Sequence, residues 1–80
     1  MGYHKQIIKK GILGEFSKIE EEFQELTDSV QQDAKILTLC ELADLCGAID
    51  LFVKKQFNLT IEDLVKMSKL TQSAFENGER

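Results

Sequence analysis

The chain has 80 residues, 42% of them apolar and 30% charged, with a formal charge of −4. That size gives one domain with a small private core. The acidic balance argues against nucleic acid as a partner, and the composition is too apolar for intrinsic disorder.

The opening stretch "MGYHKQIIKKGILG" is basic but lacks the apolar run and cleavage site of a signal peptide. The most apolar stretch, "LTLCELADLCGAIDLFV", is interrupted by three acids, so no membrane span is expected. The two cysteines, Cys40 and Cys46, sit within that stretch with no partner at metal spacing, and read as reduced core thiols of a cytoplasmic protein. With no disulfide framework, association of copies is the remaining way to enlarge the core.

Proline is absent, which favours long helices. Phe16, Ile19, Phe23, Leu26 and Val30 recur at steps of three and four, placing one apolar stripe on a first helix. "SKIE" at residues 17–20 has capping-box spacing, although the periodic pattern reaches back to about residue 12. "SVQQDA" holds a turn, with Asp33 as the candidate N-cap of a second helix over residues 34–56. That helix carries Ile36, Leu37, Leu39, Leu42, Leu45, Ile49 and Phe52 on nearly every side and should lie centrally in its bundle. Asn58 suits a left-handed helix end; Thr60 then caps a third helix, with Asp63 at its third position.

The expected fold is therefore all-α: a long antiparallel helical hairpin plus a third helix, completed to a four-helix-type bundle by oligomerisation. Residues 1–80 read as one helical domain, with an N-terminal segment at 1–13, a helical core at 14–77 and a tail at 78–80.

The carboxylates carry the chemistry. Glu21, Glu22 and Glu25 fall within an arc of about 100° on the first helix, while Glu41 and Asp44 stand about 60° apart on the second. In an antiparallel hairpin, residues at equal height have numbers that add to a constant. Those of Glu25 and Glu41 add to 66, as do those of Glu22 and Asp44. Four acids thus lie level in pairs across two neighbouring helices. An EExxE run alone most often marks a solvated face. Glu41 and Asp44, however, interrupt a helix that is otherwise apolar, and a buried, unpaired carboxylate is costly. A divalent cation removes that cost, and an oxygen-only donor set suits Mg²⁺ or Mn²⁺. A di-iron site would need Glu-x-x-His pairs, and the single histidine, His4, reads as a surface residue outside the bundle. Asp50 lies about 120° from Asp44 around the helix and reads as a solvated or partner-contacting acid.

"EEFQE" at residues 21–25, fifteen intervening residues and "ELAD" at residues 41–44 resemble the EExxE…ExxD signature of the MazG-like nucleotide pyrophosphohydrolases, within the all-α NTP pyrophosphatase superfamily. The closing segment "NLTIEDLVKMSKLTQSAFENGER" looks like that of the short, phage-type members. The resemblance implies Mg²⁺-dependent hydrolysis of a nucleoside triphosphate between its α and β phosphates, giving the monophosphate and pyrophosphate, with Mn²⁺ as a possible substitute. It places Glu22, Glu25, Glu41 and Asp44 at metal-ligand positions and Glu21 and Glu25 in the catalytic group, Glu21 orienting or deprotonating the attacking water. Longer members carry additional helices or a second catalytic domain, so an active site here would need a second protomer, in a homodimer or homotetramer.

Lys18 and Lys54 are candidates for substrate phosphate. Lysines also cluster at Lys5, Lys9 and Lys10, and at Lys55, Lys66 and Lys69, where solvated faces are the ordinary reading. Phe16, Phe23, Phe52 and Tyr3 are candidates for base selectivity, although aromatics at helical spacing are most often core. Two other readings remain open: a relative that binds nucleotide or metal without turnover, and a helical adaptor whose acidic face meets a basic partner.

Overall fold

The computed structural model describes His4 and residues 7–78, apart from the side chain of Ser73. Tyr3 and Lys5, noted above, lie outside the described residues. Three helices follow one another: α1 (Phe16–Gln31), α2 (Lys35–Phe57) and α3 (Ile61–Glu76). No strand occurs among the described residues. The α1 and α2 helices pack along their length as an antiparallel hairpin, and among the described helices α3 meets α2 and not α1. Thr38 donates to Ser29 Oγ across the hairpin near its turn, at 3.1 Å. Far from the turn the Phe16 and Phe52 rings meet edge to face, with centroids 6.2 Å apart.

The turn corrects one expectation. Asp33 does not cap α2; it ends α1. Its backbone is left-handed, with φ 56°. Its N–H donates to the Val30 carbonyl, and the Ala34 N–H donates to that of Ser29. These two bonds satisfy otherwise orphaned carbonyls in the pattern of a Schellman motif. Ala34 takes the N-cap position of α2 without a side-chain cap. The α1 start also differs: Glu15 is the N-cap, without a side-chain bond, and Ser17 Oγ accepts the Ile12 N–H instead of closing a capping box.

The α2–α3 junction follows the sequence reading. Asn58 is left-handed, with φ 57° and ψ 38°, and its N–H returns to the Lys54 carbonyl. Thr60 and Asp63 bond reciprocally: the Thr60 N–H donates to Asp63 Oδ2 and the Asp63 N–H to Thr60 Oγ1. Asp50 adds to this junction by accepting the Ile61 N–H at 2.8 Å, so its role lies in the start of α3.

The hairpin interior is polar, against expectation. The buried residues of α1 are Glu21, Glu22, Asp28 and Ser29, and those of α2 are Glu41, Ala48 and Val53. The apolar stripe of α1 is turned about one residue away around the axis, leaving Phe23 and Val30 more than half exposed. On α2, Ile36 is 78% exposed, and Leu39 and Leu42 are exposed as well. Cys40 and Cys46 are free and exposed; they belong to this outward surface and are not core thiols. No described helix is long and apolar enough to cross a membrane.

A residue with a Cβ in the left-handed region costs roughly 1–2 kcal/mol relative to glycine. We therefore expect Asp33→Val to lower stability by about 1 kcal/mol or more, because valine is also β-branched. Asp33→Gly should hold or raise it. Urea midpoints of the two variants check this.

Candidate functional site

Steps of three and four put Glu22, Glu25, Asp28 and Ser29 on one face of α1, and the short turn lays α2 against it. Carboxylate oxygens of Glu22, Glu41 and Asp44 come within 4.8 Å of one another, and so do those of Glu21, Glu22 and Glu25. The five acids singled out in the sequence are thus brought into one cluster. Their settings differ: Glu21, Glu22 and Glu41 are buried, Glu25 is partly buried and Asp44 is exposed. Glu41 is only 4% exposed, and its Oε1 is a buried oxygen with no hydrogen-bond partner. A lone carboxylate oxygen removed from water carries a desolvation cost that a cation or a donor would offset.

His4 corrects the sequence reading most sharply. Its side chain is only 12% exposed and lies in the cluster, not on the outer surface. Nδ1 is 2.9 Å from Asp28 Oδ2, and Nε2 is 2.8 Å from Glu41 Oε2 and 3.3 Å from Glu25 Oε1. Burial disfavours the charged imidazolium, but the hydrogen bonds to Asp28 and Glu41 and the negative charge of Glu41 and Glu25 outweigh it, raising the His4 pKa above its ordinary value. The Glu25 carboxyl is also raised, by burial first and then by the charges of Glu22, Glu41 and Glu21. Asp28, which the sequence reading passed over, continues the acidic step from Glu25. A lone histidine ahead of the first helix leaves no periodic signal.

The N-terminal arm crosses the start of α1. Gly11 N–H donates to Glu21 Oε1 at 2.9 Å, and a Cβ on Gly11 would collide with the Ser17 carbonyl, so only glycine fits there. Gly14, with φ 84°, closes the tight turn that leads into α1. Lys18 Nζ lies 3.0 Å from Glu21 Oε1 and 3.1 Å from Glu22 Oε2. Lys10 adds a longer contact to Glu21 at 3.6 Å. Burial opposes ionisation of Glu21, yet the Gly11 N–H and Lys18 hold its pKa below the usual range.

Beside the cluster an open cleft of about 550 Å³ is lined by Lys18, Glu22, Asp44, Gly47 and Asp50 among others. Lys18 therefore stands at the cleft. Lys54 is instead tied to Asp50, with Nζ 2.7 Å from Oδ2. Phe16 and Phe23 line a separate apolar hollow with Ile19, Leu45 and Ile49. Phe52 stacks edge to face with Phe16 and Phe57.

The His4 shift fixes a sign. A histidine whose folded pKa is raised stabilises the fold fully below its unfolded value of about 6.5, and that contribution is lost as pH rises through the folded pKa. In EDTA, the thermal midpoint should therefore fall as pH rises above about 6.5, and His4→Ala should flatten this dependence. Melts across that range check it. No protein family, curated protein or solved structure matches this chain.

Proposed function

We propose that the chain is a Mg²⁺-dependent nucleoside triphosphate pyrophosphohydrolase whose site is the acidic cluster and the cleft beside it. One observation carries this reading: Glu22, Glu41 and Asp44 converge across two helices, and the buried Oε1 of Glu41 has no partner. The donors there are hard carboxylate oxygens, which suit Mg²⁺ or Mn²⁺. Glu22, Glu41 and Asp44 would hold the cation, with Glu25 at its inner edge. When bound, such a cation neutralises triphosphate charge and polarises the α-phosphoryl group.

The remaining roles follow from the surroundings of each residue. Glu25, with its raised pKa, suits the proton acceptor for the attacking water. Water adds to the α-phosphorus, the bond from that phosphorus to the α–β bridging oxygen breaks, and pyrophosphate leaves. Glu21 is held by Gly11 and Lys18 and suits orientation better than proton transfer. Lys18, at the cleft, suits a phosphate oxygen. Lys54 is the weaker phosphate candidate, because it is paired with Asp50 and does not line the cleft.

The outward apolar faces of α1 and α2 support a homo-oligomer, a dimer or tetramer, as the active form. A second copy would cover Phe23, Leu39 and Leu42 and complete a four-helix bundle. Its helices would also close the apolar hollow at Phe16 and Phe23, a natural place for the base.

Pyrophosphate release from a panel of (d)NTPs, with Mg²⁺ and with EDTA, tests the chemistry. We expect cation-dependent release that falls by roughly 10²-fold in Asp44→Asn, the scale of losing one electrostatic contact to the transition state. An assembled protein that releases no pyrophosphate from any nucleotide overturns the reading. Light scattering tests the assembly: the native chain should run as a dimer or larger, and Phe23→Asp with Leu39→Asp should give an inactive monomer.

A further inference from the structure

The inner end of the cluster differs in chemistry from the outer end. At the outer end all donors are oxygen. At the inner end His4 Nε2 meets Glu25 Oε1 and Glu41 Oε2 at 3.3 and 2.8 Å, and the three residues can present ligand atoms within 4.8 Å of one another. Donors bound at about 2.1 Å to one ion lie roughly 3 Å apart, so this spacing is that of neighbouring ligands.

The other ring nitrogen decides what Nε2 presents. Nδ1 faces the buried Asp28 carboxylate at 2.9 Å, which can only accept, so Nδ1 carries the hydrogen. In the neutral ring Nε2 then aims a lone pair at two carboxylate oxygens. That contact is repulsive unless a proton or a metal ion lies between them. Carboxylate, histidine and metal in that order form a recurrent arrangement, in which the carboxylate fixes tautomer and ring orientation. Asp28 is itself steadied by Gln32 Nε2 at 2.7 Å. Glu41 is more than nine-tenths buried, and beside the Oε2 that faces His4 its Oε1 has no hydrogen-bond partner, an oxygen that a cation bound by Glu41 would satisfy.

We infer that His4, Glu25 and Glu41 form a binding site for a transition-series divalent cation such as Zn²⁺ or Co²⁺, with Asp28 as the positioning residue. Imidazole nitrogen favours these ions over Mg²⁺. The inference rests on the reading above only through Glu25 and Glu41, which the two sites share. Because the cation takes the Glu25 carboxylate, it also occupies the proton acceptor of the proposed hydrolysis. Zn²⁺ should therefore inhibit where Mg²⁺ activates.

The test uses the untagged full chain, in which His4 is the sole histidine. Bound Co²⁺ should give one exchangeable proton resonance shifted far outside the diamagnetic range, from the His4 Nδ1–H. Calorimetry should show Zn²⁺ binding weakened by about 10- to 100-fold in Asp28→Asn and by at least as much in His4→Ala. Co²⁺ binding without the shifted proton overturns the inference, as does equal Zn²⁺ affinity in His4→Ala. The native resonance decides the matter even where a variant fails to fold. Mg²⁺-dependent pyrophosphate release without the imidazole signature would sink this site and leave the hydrolase. The signature without release would do the reverse.

Discussion

Carboxylates enclosed between two helices must be compensated, and this requirement organises the molecule. Glu21, Glu22, Asp28 and Glu41 are all buried in a hairpin whose only buried apolar side chains among the described residues are Ala48 and Val53. Without compensating charge such an interior would repel itself. The compensation comes from the arm, through His4, the Gly11 amide and Lys10, and from Lys18 on α1 itself. His4 and the Gly11 amide are thus bonded into the acidic interior, although by sequence both precede every helix.

The same constraint explains the outward apolar surface. A helix has a limited circumference, and the face given to acids cannot also be given to leucine. Once α1 turns its carboxylates inward, Phe23 and Val30 must face away. The polar interior and the exposed apolar stripe are one choice seen from two sides. The apolar surface whose burial would ordinarily stabilise a hairpin of this length is left outside it.

Much of this was legible in the residue order. Three helices, the break at Asn58, the reciprocal Thr60–Asp63 cap and the level pairing of Glu22 with Asp44 all follow from local chemistry or from antiparallel register. Other features were not. Apolar and acidic stripes on α1 share one period, so periodicity reports that two faces exist without saying which is inward. Asp33 is equally at home as an N-cap and as a left-handed helix end, and the carbonyls left open by α1 decide between them. Ser17 is drawn from its expected capping role by an amide of the arm. His4 reaches the cluster through a fold-back that no helical pattern encodes.

The connection between α1 and α2 spans only residues 32–34, and this brevity bears on how the protein is made. The pairing that assembles the acids is local in sequence, and chains dominated by local contacts fold in microseconds to milliseconds. The hairpin can therefore close early, with its carboxylates already gathered. Lys18, on α1 itself, meets Glu21 and Glu22, whereas Asp28 and Glu41 meet the His4 ring. Placing His4 on Asp28 and Glu41, and the Gly11 amide on Glu21, adds to the compensation, so residues ahead of the first helix take part in the folded interior.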